Sequence, residues 1–353
     1  LCNMMTSIKK IQKLGVFILA LFFCVPVIMA QTTIGNSGGK ESNAVFNFLN
    51  LPHSAKASAL GGINISRIQP DLGLAMYNPA LLTPTMDSWL HLSVKPYLAD
   101  IKQYDFSGAK YLGNKKLVLG GGVHFMDYGS VAMTDISGNQ MGNFRPNDYS
   151  LQVSAATSYI NNIHIGTTLK FIQSNYGLYK SNGFAMDIGL RYQPASELSQ
   201  VSVLVKNLGT QLKTYATKEE LPFNLIVGWT KKLENAPFQF SLTAEKLSLW
   251  NLAYNDTSFN AQQGYTNPGS LQNLFNHLIL ASEVFIGEQV SVNLGYNFMR
   301  RFDLNIQGQQ NAMNGFSSGL ALQLQRIEVQ YGNAFFQKNM YHHFSLMYNL
   351  KNR

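Results

Sequence analysis

Gly183-Phe184-Ala185-Met186-Asp187-Ile188-Gly189-Leu190-Arg191-Tyr192-Gln193 decides the fold of this chain. Phe184, Met186, Ile188, Leu190 and Tyr192 fall on one side of an extended segment, and Ala185, Asp187, Gly189, Arg191 and Gln193 on the other. Successive side chains of a strand point to opposite faces, so this spacing reads as a strand with one apolar and one polar face. The stretch 290–299 repeats it, opposing Val290, Val292, Leu294, Tyr296 and Phe298 to Ser291, Asn293, Gly295 and Asn297. A soluble sandwich turns its apolar face to a core. A transmembrane barrel turns it to lipid and lines a lumen with the polar face.

The connections choose between the two. Segments of this kind predict fourteen strands, the first seven at 89–97, 104–111, 115–126, 149–159, 163–174, 183–193 and 200–208. The other seven fall at 223–232, 238–247, 277–286, 290–299, 317–324, 327–334 and 342–350, and the alternation is poorest in 104–111. Short connections follow the even strands, at 160–162, 194–199, 233–237, 287–289 and 325–326. Long ones follow odd strands, at 127–150, 209–222, 248–276 and 300–316. Outer-membrane barrels sort their connections this way, with short turns and both termini in the periplasm and long loops extracellular. The predicted class is therefore all-β: a 14-stranded antiparallel transmembrane β-barrel over residues 89–353, in the outer membrane of a Gram-negative bacterium.

Composition agrees. Charged residues are only 13% of the 353, about half the share usual in soluble domains, and aromatics reach 12%,. No apolar run of about 18 residues follows the N-terminal region, which excludes a helical membrane body. Residues 1–30 read as a signal peptide, with Met4 or Met5 as the start and Lys9, Lys10 and Lys13 as its basic region,. The apolar stretch spans 14–29 and the cut falls between Ala30 and Gln31. A permanent membrane anchor is the alternative, because the stretch is long. Both cysteines, Cys2 and Cys24, lie in this segment, so the mature chain would carry no disulfide and no cysteine-ligated metal,. The remaining positive charge is scattered, which leaves no nucleic-acid footprint.

The lipid face is expected to carry residues such as Leu151, Val153, Leu169, Phe171, Trp229, Phe240, Leu280, Leu322, Val329, Phe344 and Leu346. Trp89, Trp229 and Trp250 sit near strand ends, where aromatic girdles form,. Residues 31–88 lack clean alternation. There Ala55, Ala57 and Ala59, followed by Gly61 and Gly62, allow close backbone packing, and Asn78-Pro79-Ala80 opens a turn or helix,. The segment is too apolar for comfortable disorder and reads as a hatch folded into the lumen, with Gly61, Gly62, Asn78, Pro79 and Ala80 as its motif,. A flexible periplasmic tail is the alternative.

Enzyme signatures are missing: no G-x-S-x-G elbow, no H-E-x-x-H, no phosphate-binding loop and no paired-cysteine metal site,. No catalytic residue, cofactor or metal is expected. His342 and His343 are adjacent in a strand, point to opposite faces and make a poor chelate,. Gly120-Gly121-Gly122 lies within a strand and relieves crowding or bends the wall,. His124, Lys170, Asp187, Arg191, Lys206, Glu245, Glu283 and Glu328 should point inward. Read structurally, they pair with one another or with a plug; read functionally, they form a transport constellation. Asp135-Ile136-Ser137-Gly138-Asn139 has calcium-type oxygens but reads first as a turn,. The candidate partner-binding loop carries Tyr254, Phe259, Tyr265 and Phe275 among Asn, Gln and Ser,.

Phe48-Leu49-Asn50-Leu51-Pro52, Ala59-Leu60-Gly61-Gly62, Asp71 and Asn78-Pro79-Ala80-Leu81-Leu82 resemble the opening of the type IX secretion system PorQ family of the Bacteroidota, a group of FadL-like barrels. Gly122-Val123, Tyr128-Gly129, Thr134-Asp135, Gly138-Asn139 and Gly142-Asn143-Phe144 are similar to the same family. The resemblance extends over the mature chain. It implies a non-enzymatic member of the cell-surface attachment complex, anchoring the surface protein PorZ beside the sortase PorU and the barrel PorV, where cargo is joined to lipopolysaccharide. The competing expectation is a FadL-type channel for hydrophobic small molecules, which needs an apolar pocket near the hatch and an opening or kink in the wall.

Overall fold

Valine, leucine, isoleucine and aromatic side chains at every second position fit a pleated surface and disfavour helix, so these segments extend and pair. The computed structural model describes residues 44–252, 269–304 and 311–351. Its first strands are β1 (Trp89–Pro96), β2 (Lys102–Leu112) and β3 (Leu117–Asp127), followed by a separate hairpin of β4 (Val131–Thr134) and β5 (Gln140–Phe144). Next come β6 (Asn147–Ile160), β7 (Ile163–Tyr176), β8 (Tyr179–Tyr192), β9 (Ser199–Lys213), β10 (Asn224–Lys232) and β11 (Phe238–Ala244). The last five are β12 (Leu278–Ile286), β13 (Val290–Asn297), β14 (Phe316–Gln323), β15 (Ile327–Phe336) and β16 (Asn339–Asn349). All but β4 and β5 join one closed antiparallel sheet, giving the expected fourteen-stranded barrel. Closure is made by β1 on β16, from Trp89 opposite Asn349 to Val94 opposite Phe344. It leaves no sheet edge to template aggregation.

The apolar stripe faces outward. In β8, Phe184 is 52% exposed, Leu190 is 36% exposed and Met186 and Ile188 are half-buried, while Ala185, Asp187, Gly189 and Arg191 are buried. Leu92, Phe106, Val153, Leu169, Leu280, Leu320 and Phe344 are likewise exposed. An outside this greasy, around an inside holding lysine, glutamate and histidine, suits lipid as the surrounding solvent. Strand β2 is longer than its weak alternation suggested, because Gly108 and Lys110 interrupt its outer stripe near the turn. Tyr159, Tyr192, Trp229, Phe238 and Tyr348, all at the turn-bearing end, are exposed and sit where a girdle meets headgroups,. At the opposite end the 177–178 and 337–338 connections are two-residue turns, so the long excursions are confined to four places.

Residues 44–82, most of them buried, pack against inward-facing side chains of the strands. Ser54 caps the helix Ala55–Ala59, and Gly61, at φ 93°, ends it, with the Gly62 N–H bonded to the Ala57 carbonyl at 2.9 Å,. Asp71 caps Leu72–Ala75, and Asn78 caps the 3-10 turn Pro79–Leu81 with proline at its first position,. Leu72, Leu74, Met76, Leu81 and Leu82 meet Ala109, Val118, Ala156 and Met347 of the wall. Each such leucine contributes roughly 1.5–3 kcal/mol by leaving water.

The approach is close enough to demand glycine in the wall. A methyl group on Gly332 would overlap the Ala55 carbonyl, and one on Gly166 would overlap the Pro79 backbone. Gly120 faces Leu82 and Met76 of the interior segment and makes room for them, whereas a methyl group on Gly122 would first meet the Phe106 carbonyl and Ser107 of the neighbouring β2. Replacing Gly332 by alanine is expected to cost about 1–3 kcal/mol, the usual penalty of overpacking, read as an earlier urea midpoint in lipid vesicles.

Candidate functional site

Every residue expected to point inward is buried, and most meet a partner from the interior segment or an adjacent strand. Glu283 of β12 receives Arg67 in a two-point bond, Nε to Oε2 at 2.9 Å and Nη2 to Oε1 at 2.7 Å. Lys56 lies 3.0 Å from Glu328, 3.7 Å from Glu283 and 3.9 Å from Asp71. Lys170 of β7 pairs with Asp187 of β8 at 2.5 Å and donates to Asn207 at 3.0 Å. Lys206 donates to the Leu49 carbonyl at 2.8 Å and rests over the Tyr77 ring at 3.3 Å,. Paired charge is the form in which ions tolerate burial. Among the described residues Glu283 and Glu328 of the wall are balanced by Arg67 and Lys56 of the interior segment and Lys170 by Asp187 within the wall, whereas Arg191 is buried without an ion pair.

Backbone bonds add to the attachment. Ser345 accepts from the Ala55 N–H at 2.8 Å, Ser317 donates to the Ala59 carbonyl at 2.9 Å, and Arg300 donates to the Gly61 carbonyl at 3.0 Å. Gly61 and Gly62 thus lie under β12, β13 and the helix Phe298–Leu304, while Asn78, Pro79 and Ala80 press on Gly166 and Gly189 of β7 and β8. At the turn-bearing end Asp87, which leads into β1, accepts from Lys351 and from the Tyr111 N–H. The Lys351 ammonium, with that N–H, holds its carboxyl down to about 2,.

Three motifs resolve differently. His343 is fully buried, bonded to Ser58 at 2.8 Å, whereas His342 faces Tyr331 at 2.7 Å on the other side. Asp135 spends its carboxylate on the Ser137 and Asn139 N–H groups, each at 2.8 Å, and forms the turn of the β4–β5 hairpin. Of the candidate partner loop, Tyr254, Phe259 and Tyr265 lie outside the described residues. Phe275 is in the helix Ser270–Asn276, 42% exposed and 5.2 Å from the Phe298 ring.

Sequence reasoning did not single out His53, Lys56, Arg67 or Asp105. The first three sit in a segment without a period, and Asp105 is in the strand of poorest alternation. The cavity beside Arg67, Gln69, Asp71 and Arg191 measures about 10 Å³, room for about one water,. Strand β3 is paired at every residue on both sides, including Gly120 to Gly122.

A closed fourteen-stranded antiparallel barrel, apolar outside and packed inside against its own chain, has the architecture of an outer-membrane barrel,. No protein-family model and no curated protein sequence matches this chain. Among solved structures it is similar to the CymD monoaromatic hydrocarbon channel, at 12% identity and a TM-score of 0.53, over 87% of this chain and 100% of that one. It is similar also to the toluene transporter TodX of Pseudomonas putida, at 10% identity and a TM-score of 0.54, over 85% of this chain and 98% of that one. At such identities the likeness is one of fold.

Proposed function

We propose that this chain is a non-enzymatic, occluded outer-membrane barrel that works through its loop-bearing end. On this reading it is a component of the type IX secretion attachment complex. It anchors a PorZ-like surface subunit, in company with the sortase PorU and the barrel PorV, where secreted cargo is linked to lipopolysaccharide. The PorQ-family motifs at residues 48–52 and 78–82 support the family part of the reading. One observation carries the occluded part: residues 44–82 pack against inward-facing side chains through buried ion pairs, beside a wall whose β3 strand is unbroken. Planar bilayers holding the purified barrel should therefore show no stepwise conductance, and steady open steps would count against occlusion.

A second reading has its own support. The fold is similar to CymD and TodX, described as a hydrocarbon channel and a toluene transporter, and this likeness favours a channel for hydrophobic small molecules more directly than it favours attachment. A channel requires the interior segment to shift, at the expense of the pairs above. Extraction in mild detergent with identification of partners, beside a deletion strain, separates the two. Recovery of a sortase-like protease together with loss of cargo display on deletion supports attachment. Lost toluene uptake with display intact establishes the channel and removes the first reading.

A further inference from the structure

His53 of the interior segment, Asp105 of β2 and His124 of β3 meet at one point. Asp105 and His124 are direct cross-strand partners, so both side chains leave the wall at the same height,. The Nδ1 atoms of His53 and His124 approach the same Asp105 Oδ1, at 2.7 and 2.6 Å. Exposure is 5% for His53, 4% for Asp105 and 0% for His124. One ligand atom from each residue lies within 4.8 Å of the other two.

The surrounding hydrogen bonds fix the orientation of these groups. His124 Nε2 faces the Phe48 carbonyl at 3.2 Å, and a carbonyl only accepts, so Nε2 carries a proton,. A neutral His124 then turns the Nδ1 lone pair at a carboxylate oxygen 2.6 Å away, which repels unless a cation stands between them. That cation is a second proton or a metal ion. Asp105 Oδ2 is engaged elsewhere, by Gln103 Nε2 at 2.9 Å and Ser93 Oγ at 3.3 Å, which leaves Oδ1 for the two imidazoles. An imidazole tethered through its far N–H, beside a carboxylate steered by an outer amide, is how proteins orient metal ligands.

We infer that His53, Asp105 and His124 form a site for a divalent transition metal ion, zinc by chemical type, that clips the interior segment to β2 and β3. Two imidazole nitrogens and a carboxylate oxygen suit zinc, at bonds of about 2.0–2.2 Å. Calcium and magnesium take oxygen sets instead. Small side-chain rotations widen the hydrogen-bonded spacing to the roughly 3.3 Å between ligand atoms that tetrahedral geometry needs. The ion's role is to hold the interior segment in place, whichever of the two functions the barrel performs.

The test uses the untagged mature chain, from Gln31 onward, in detergent, stripped with a chelator and titrated with Zn²⁺ by calorimetry, with Co²⁺ as the optical probe. Stoichiometric uptake, a tetrahedral Co²⁺ absorption band and a metal-dependent rise in thermal unfolding temperature are expected. His53→Ala leaves both wall ligands in place and should abolish uptake. Gln103→Ala should weaken it by about 10–100-fold. Folding of each variant is read from heat-modifiable gel migration, and if His53→Ala fails to fold, the Gln103→Ala titration decides. No stoichiometric uptake by the unaltered chain, or uptake undiminished in the folded variants, overturns the site and leaves His124 as an imidazolium paired with Asp105.

Discussion

Replacing Glu283 by alanine is expected to lower the stability of the barrel by about 3–5 kcal/mol, the usual result of stripping one partner from a buried ion pair. Glu283 is 1% exposed and takes both ends of the Arg67 guanidinium. Without it, Arg67 keeps the Gln69 and Pro70 carbonyls, at 2.8 and 3.4 Å, and loses its directly bonded carboxylate, with Asp71 and Glu328 acting on it only from farther away. Lys56 suffers less, because Glu328 remains 3.0 Å away. Urea unfolding in lipid vesicles, followed by tryptophan fluorescence, reads the loss. Arg67→Ala combined with Glu283→Ala should be markedly less harmful than the sum of the two, since it removes both buried charges together. A single-variant effect below about 1 kcal/mol, or strict additivity, would show that this pair does not hold the interior segment.

Leu320→Arg distinguishes a lipid-facing wall from a water-facing one. Leu320 is 53% exposed near the middle of β14, opposite Val292 and Tyr331. On a water-soluble barrel such an exposed replacement changes stability by no more than about 0.5 kcal/mol. At the midplane of a bilayer, arginine costs about 2–4 kcal/mol. The larger value is expected, with Gln140→Arg in the exposed β4–β5 hairpin staying near zero as the control. Equal, small effects at both positions would place the outer stripe in water.

These two experiments probe different layers of the molecule, and the layers were unequally legible. The Leu320 stripe is local: its neighbours two residues away in sequence share its face, so strand, polarity and outward direction follow from period alone. The same rule pointed Glu283 and His124 inward. It did not name their partners. Arg67 and Glu283 are 216 residues apart, and Lys56 and Glu328 are 272 apart. The β4–β5 hairpin also escaped, because in a polar loop both faces are exposed and no alternation builds up.

From the amino acids alone come the fourteen strands, the greasy outside, the ionic inside and the sorting of turns from long loops, since each is a property of a few consecutive side chains. Only the folded molecule decides which charge meets which, why Gly166 and Gly332 must lack side chains, and that His53 reaches Asp105 and His124. The path of residues 44–82 inside the wall sets all three. That path depends on how a backbone without regular period fits a closed wall, a volume constraint that no local pattern encodes.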